Sequence, residues 1–229
     1  MTRLFVLGDL HGSWKMVQKL RDTIVVEKPD LVLVCGDITH FGSTDEAKNL
    51  LLKLSVVKPL LFVPGNCDPP TLLTLESIND AKNIHLKAFV YDDILFFGLG
   101  GCPFTPFHTL IEWDDTQMRS LLHDAISTMI KKLSYSLFVF CSHTPPIHTK
   151  LDVIFTGEHV GSMAVREAIS YFKPNIGIHA HIHEAMGYDN LGRTLLLNAG
   201  PAARGHYAIV EIDNAHNVSF KFKKSKSIA

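Results

Sequence analysis

Two aspartates, one asparagine and a group of histidines stand directly behind short apolar runs of this chain. Asp9 and His11 follow Arg3–Leu7. Asp37 follows Leu31–Cys35, and Asn66 follows Leu60–Val63. His143 follows Leu137–Cys141, and His181 and His183 follow Ile176–Ala180. Carboxylate and imidazole donors together suit Mn, Fe, Zn, Ni or Co rather than calcium, which prefers oxygen alone. The chemistry of such a set is metal-assisted hydrolysis. Histidine is abundant, with 13 among 229 residues, and several lie beside Asp, Asn or Gly.

Spacing adds to residue type. Asp9-Leu10-His11 and His181-Ile182-His183 place donors at i and i+2, which point the same way on extended backbone. Gly8, Gly36 and Gly65 precede Asp9, Asp37 and Asn66 and permit tight backbone turns there. Singly, each piece is ordinary. A Gly-Asp or Gly-Asn after a strand is commonly a turn, and a lone histidine is commonly a core or rim residue. The conjunction carries the weight, because five strand ends deliver donors to one edge of a sheet. His179, two residues before His181, reads as a buried residue behind the site.

The elements that must hold these donors are legible as periodicities. The apolar runs read as buried strands. Between the first two, Trp14, Val17, Leu20 and Ile24 recur at helical spacing, with Ser13 as the cap and Pro29 as the stop. A second helix is expected from Thr44 to about Leu54. Strand, helix, strand, helix, strand implies parallel strands with right-handed crossovers. Ile84–Val90 and Ile94–Leu99 read as a hairpin turning at Asp92-Asp93. Helices are expected over Thr116–Leu133 and Ser162–Phe172. Tyr188–Gly192 reads as a turn between two strands, and Tyr207–Ile212 and Val218–Phe222 as closing strands. The expected organisation is a single α/β domain over residues 1–229.

Composition narrows the classes further. The chain is 46% hydrophobic and 20% charged, enough apolar residues for a sizeable core. Its formal net charge of -1 gives no basic field for nucleic acid. Lys221, Lys223, Lys224 and Lys226 read as a solvated tail. No run approaches a membrane span, and no signal segment is visible. Cys35, Cys67, Cys102 and Cys141 lack paired-motif spacing, with Cys35 and Cys141 in apolar runs. The expected setting is reducing and cytoplasmic. No segment points to a protein partner, and an oligomer stays open.

The series Gly8-Asp9-Leu10-His11-Gly12, Gly36-Asp37, Gly65-Asn66-Cys67-Asp68, His143 and His181-Ile182-His183 resembles the calcineurin-like metallophosphoesterase superfamily. His143-Thr144-Pro145-Pro146, Gly161-Ser162 and Asn198-Ala199-Gly200-Pro201 look like its small archaeal-type phosphoesterases. The resemblance implies a four-layer α/β/β/α sandwich and two divalent ions, with Mn, Ni, Fe or Zn the candidates. It implies Asp37 as the bridging carboxylate that positions the attacking hydroxide. Asp9, His11 and His183 would complete one ion's shell, and Asn66, His143 and His181 the other's. The implied substrate is a small phosphate ester, with a nucleotide among the candidates.

One position departs from that pattern. Many relatives carry His after the Asn, where it assists the leaving group; here Cys67 stands instead. A thiol is a poor substitute for imidazolium, and Asp68, which would orient that histidine, is left with a structural or supporting role. This favours phosphodiesters or activated aryl esters over alkyl monoesters. His40 and His206 are alternative proton sources. Arg204, His206 and Phe107 are candidate substrate contacts, with Phe104 and His108 on the same Gly98–Thr109 rim. A nuclease or cyclic-nucleotide phosphodiesterase would use the same core. A protein phosphatase fits less well, since Asp37 leads into Ile38-Thr39-His40. A non-enzymatic scaffold of this fold is the competing class, and against it all seven ligand positions hold usable residues.

Overall fold

A computed structural model describes residues 1–130 and 133–225. The chain runs β1 (Thr2–Leu7), α1 (Trp14–Glu27), β2 (Leu31–Cys35), α2 (Thr44–Leu54), β3 (Leu60–Val63), β4 (Ser77–Ile78) and β5 (Ala81–Asn83). It continues through β6 (Ala88–Tyr91), β7 (Ile94–Leu99), β8 (Cys102–Pro103), β9 (Glu112–Trp113), α3 (Asp115–Ile130) and β10 (Leu137–Ser142). Then come α4 (Met163–Phe172), β11 (Ile176–His179), β12 (Gly187–Leu191), β13 (Thr194–Asn198), β14 (His206–Ile212) and β15 (Val218–Lys224).

The strands form two main sheets. The first has the order β15-β14-β1-β2-β3-β5-β4, and the second β12-β13-β11-β10-β7-β6. Their inner faces share one apolar core, which holds Leu4 and Val6, Leu31 and Leu33, Phe96, and Val139 and Cys141. Odd and even residues of each strand part company. Phe5, Leu7, Val32 and Phe62 pack outward against α1 and α2. Leu95, Phe97, Phe138 and Phe140 pack outward against α3 and α4. The layers are therefore α/β/β/α. This is why the strands read as unbroken apolar runs, since both faces are buried. Each fully buried Leu or Phe contributes roughly 1.5–3 kcal/mol.

The helix ends follow local chemistry. α1 and α4 both end on a lysine before a proline, Lys28-Pro29 and Lys173-Pro174. The proline disfavours right-handed backbone at the preceding residue. Both lysines turn left-handed, at φ 49 and 51, and close the helix with a backbone bond to Ile24 and Ile169. Ser43 and Ser162 cap α2 and α4 by accepting from Glu46 N–H and Val165 N–H. Ser13 was expected to do this for α1 but makes no side-chain cap bond; its carbonyl instead accepts from Met16 and Val17.

Several expected boundaries shift. β6 starts at Ala88 rather than Ile84, and Asp92 and Asp93 make its turn with φ 48 and 65. Two positive φ values suit the right-handed twist of a two-residue hairpin. Tyr188–Leu191 belongs to a strand, and the turn is Gly192-Arg193. The third helix was expected to reach Leu133, but Leu133 is not helical; α3 is described to Ile130, and residues 131 and 132 lie outside the described residues. The basic tail is not free: Lys221, Lys223 and Lys224 lie in β15, the sheet edge, where lysines discourage further strand pairing. Lys226 lies outside the described residues.

Glu27 gathers the ends of four elements. It accepts from Arg3 of β1 at 2.7 Å, Tyr207 of β14 at 2.8 Å and Lys223 of β15 at 2.7 Å. Burial works against its charge, but the bonds from Lys223, Tyr207 and Arg3 hold it below the ordinary value near 4.5. A lowered folded pKa gives stability above the unfolded value that is lost as pH falls through the folded value. Glu27→Gln is therefore expected to cost about 1–3 kcal/mol in urea unfolding at pH 7. The gap between variant and parent closes as pH falls below the ordinary value near 4.5 and through the lowered folded value.

Candidate metal centre

β1, β2 and β3 lie side by side and parallel, as do β10 and β11. Their carboxyl ends meet at one rim. Asp9, His11, Asp37 and Asn66 come from the first sheet. His143, His181 and His183 come from the second. The site therefore straddles two sheets, where the spacing alone suggested the edge of one. A single sheet would have to spread these donors along its width.

The donor pairs do not owe their alignment to extended backbone. Asp9, His11, Asp37 and His181 all have left-handed backbone, at φ 55, 46, 49 and 68. Such conformations are costly away from glycine and are held only where neighbours fix them. Here the two first loops are zipped together. Asp9 N–H donates to Gly36 O at 3.0 Å, His11 N–H to Asp37 O at 2.9 Å and Gly12 N–H to Ile38 O at 3.0 Å. Glycine is required by close approach at two points. A Cβ on Gly36 would fall 2.3 Å from His143 Nδ1, and one on Gly65 would fall 2.1 Å from Asp37 Oδ1.

Asp68 fastens these loops from below. Fully buried, it accepts from Ile38 N–H at 3.1 Å, Thr39 N–H at 2.7 Å, Thr39 Oγ1 at 2.9 Å and Gly65 N–H at 2.8 Å. Burial and the Asp37 charge push its pKa up to about 6, against the pull of those donors. Its role is to position the Asp37 and Asn66 segments against each other. The Cys67 backbone shares that task, donating its N–H to Asp37 Oδ1 at 2.8 Å. Its thiol is buried and pushed far up by burial and by Asp37.

At the centre, Asp37 faces two ways. His143 Nε2 lies 3.5 Å from its Oδ1, and His11 Nε2 lies 3.6 Å from its Oδ2. Asp9 Oδ1 lies 3.8 Å from His183 Nε2. Donor atoms of Asp9, His11 and His183 fall within 4.8 Å of one another, as do those of Asp9, Asp37 and His143. The His181 ring lies 5.1 Å from that of His143. All seven expected residues are thus brought together.

The arrangement fits cations because acceptors converge on acceptors. His143 Nδ1 donates to Cys35 O at 2.8 Å, which in the neutral tautomer puts the ring's lone pair on Nε2. That lone pair faces Asn66 Oδ1 at 2.9 Å, while Asn66 Nδ2 donates away to Thr109 Oγ1. His11 Nε2 lies 3.0 Å from His183 Nε2, a contact that one ring proton bridges on the His183 side, where the Asp9 bond raises that imidazole, and that a cation would replace. Asp9 Oδ2 is buried with no hydrogen-bond partner. Burial lowers His11 to about 4 and His181 to about 3, so both imidazoles are neutral at pH 7. Asp37 is raised by burial, with His143 opposing. Burial also works against Asp9, but the His183 bond and nearby imidazoles hold it low. Neutral imidazoles, carboxylates and an amide oxygen are the ligand forms of divalent metals.

A family model described as calcineurin-like phosphoesterase matches residues 2–185. The chain belongs to this family. Its members are metal-dependent phosphoester hydrolases that use two metal ions. Among relatives of this phosphoesterase, the uncharacterized protein MJ1162 of Methanocaldococcus jannaschii is 36% identical over 201 residues, covering 85% of this chain and 86% of that one. Solved structures share the fold at low identity. TT1561 of Thermus thermophilus aligns with a TM-score of 0.75 at 16% identity, over 98% of this chain and 99% of that one. A dimetal phosphatase from Danio rerio aligns at 0.64 and 12%, over 98% and 96%. An archaeal phosphodiesterase aligns at 0.52 and 13%, over 96% and 99%.

The remaining expectations of this phosphoesterase divide. His40 joins the rim, with Nδ1 3.3 Å from His11 Nδ1 and one ring nitrogen within 4.8 Å of Cys67 Sγ. Arg204 lies close enough for its charge to act on His183. Phe104 and Phe107 line a cleft of about 570 Å³ beside Asn66, His181 and His183; His108 does not. His206 pairs across the sheet with Lys224 and is not among the cleft's lining residues. His179 is buried, its Nδ1 2.9 Å from Ser142 Oγ, as expected of a residue behind the site. Sequence reasoning missed Thr109, which steers the Asn66 amide, and Phe155 of the cleft. Thr109 carries no signal of its own. Phe155, an aromatic in a polar Thr-Gly-Glu turn, carried a faint one.

Because Asp68 only positions its neighbours, Asp68→Asn is expected to leave the circular dichroism spectrum unchanged. Manganese affinity measured by calorimetry should fall about 10–100-fold. Undiminished affinity would remove Asp68 from the account.

Proposed function

We propose that this chain hydrolyses phosphate esters, phosphodiesters ahead of alkyl monoesters. In this reading Asp9, His11, Asp37 and His183 hold one divalent cation, and Asp37, Asn66, His143 and His181 hold the other. The observation that carries it is the two-sided Asp37, each oxygen set against a different imidazole. When bound, such a pair of cations neutralises phosphoryl oxygens and lowers the pKa of a coordinated water to about 7. Mn, Ni, Fe and Zn all match the donor set. Residues 1–229 act as one domain in this reading, supported by the core shared between the sheets. Unpaired thiols support a reducing, cytoplasmic setting, and no helix of the described residues is long and apolar enough to cross a membrane.

The chain's own groups set the rest. His143 is fixed in one tautomer by Cys35 O and keeps its lone pair inward. Asn66 is aimed by Thr109. Arg204 adds positive charge on the His183 side, where an anionic ester enters. The buried Cys67 thiol does not deliver a proton readily, which disfavours esters of strongly basic alcohols. Cleavage of a diester or aryl ester with a good leaving group depends less on that proton. The archaeal phosphodiesterase and the dimetal phosphatase that share the fold cover both ester classes.

Protein stripped by chelation and refilled with Mn, Ni, Mg or Zn should recover hydrolysis of bis(p-nitrophenyl) phosphate. Full activity after complete chelation would refute the metal assignment. Asp37→Asn should lower kcat/KM by roughly a thousandfold or more, given that each charge-stabilising contact is worth about 10²–10³. On the restored enzyme, bis-aryl phosphate should exceed simple alkyl monoesters in kcat/KM, and the reverse order would end the diester preference.

A further inference from the structure

The cleft beside the metal centre has an unusual wall. Phe104, Phe107 and Phe155 are 68, 81 and 91% exposed, far more than large apolar side chains ordinarily are. All three line the same cleft of about 570 Å³, whose floor includes Asn66, His181 and His183. The volume falls in the range of small-molecule sites. Its carboxylate lining residues are Glu158 and Glu184, and no lysine or arginine lines it.

The phenylalanines are displayed on anchored loops. On one side, Leu110 and Ile111 N–H donate to Asn66 O at 2.9 and 3.1 Å. Glu112 accepts from Thr105 Oγ1 at 2.6 Å and from Thr109 N–H and Oγ1 at 2.8 and 2.7 Å. The Phe104–Phe107 loop is therefore tied to the backbone of a proposed metal ligand. On the other side, Phe155 sits at the tip of a small hairpin closed by a Val153–His159 bridge. Buried Asp152 pins the hairpin's base, accepting from Thr149 N–H at 2.8 Å and Gly161 N–H at 3.1 Å, with His159 Nδ1 2.9 Å away. Phe155 N–H lies 3.3 Å from Glu184 Oε1, which ties the tip to the residue after His183.

From this geometry we infer that the cleft is the subsite for the organic group of the substrate, and that this group is flat, aromatic and uncharged. The inference rests on the proposed function and names its substrate class. Exposed phenylalanine faces on two walls stack on an aromatic ring with little sequence or shape demand. Two carboxylates and no cation repel a second phosphate, a polyphosphate chain or the backbone of a nucleic acid. The same carboxylates accept hydrogen bonds from ring N–H groups, so a nucleobase and a simple aryl group share the chemistry this wall selects.

The test is binding as well as turnover. Calorimetry on manganese-loaded protein would compare uncleavable phosphonate analogues of adenosine 5′-phosphate and ribose 5-phosphate. The adenosyl ligand should bind at least tenfold more tightly. The Phe107→Ala, Phe155→Ala double variant, whose side chains are exposed enough not to hold the core, should erase that difference. Equal binding by the parent protein, or a difference that survives both substitutions, overturns the inference. A benzylphosphonate arm separates the sources: binding as tight as the adenosyl ligand assigns a simple aryl ester, and weaker binding assigns a nucleobase. If ester hydrolysis is restored by manganese while the ribosyl and adenosyl ligands bind alike, the aromatic subsite alone fails. If the adenosyl preference holds but no ester is hydrolysed, the phosphoesterase reading fails and the subsite stands.

Discussion

Everything at the rim of this sandwich follows from one electrostatic fact: electron-rich atoms are buried facing one another. Asp9 and Asp37 are 0 and 2% exposed, and no lysine or arginine pairs with either among the described residues. A buried carboxylate without a counter-charge is costly. The chain accepts that cost in the same place as its left-handed backbone and its crowded glycines. Misfit concentrated at one rim, with the layers beneath it regular, is the pattern expected where function and folding compete.

The layers themselves show why the rim can be held. Strand alternation sends each second residue to the inter-sheet core and each other to a helix layer. A one-residue slip would invert every strand, so the register is strongly specified. Register fixes where each strand stops, and each stop places a donor. Asp68 and the zipped Asp9–Asp37 backbone bonds then convert strand ends into a fixed cup.

Much of this was legible in the sequence. Apolar runs ending in Gly-Asp, Gly-Asn or Ser-His gave the strands and their donors, since strands buried on both faces cannot disguise themselves. What stayed hidden were features without local signals. The i, i+2 donor pairs suggested extended backbone, yet Asp9, His11 and His181 are left-handed, because the loops are zipped to neighbours distant in the chain. β4 and β5 are two and three residues long, too short for any period. The Lys221–Lys224 segment reads as a solvated tail by charge alone; as a strand it is held by pairing with β14 and by Glu27. Thr109 joins the site only through a 43-residue separation that nothing local announces.

The division of donors between the two sheets has a consequence for breathing motions. Asp9, His11, Asp37 and Asn66 ride on one half of the sandwich, and His143, His181 and His183 on the other. Any guest gripping both groups rivets the halves together, and parting them would require letting go of it. Occupancy and closure are then thermodynamically linked, and a guest present at a hundred times its dissociation constant adds about 2.7 kcal/mol against opening.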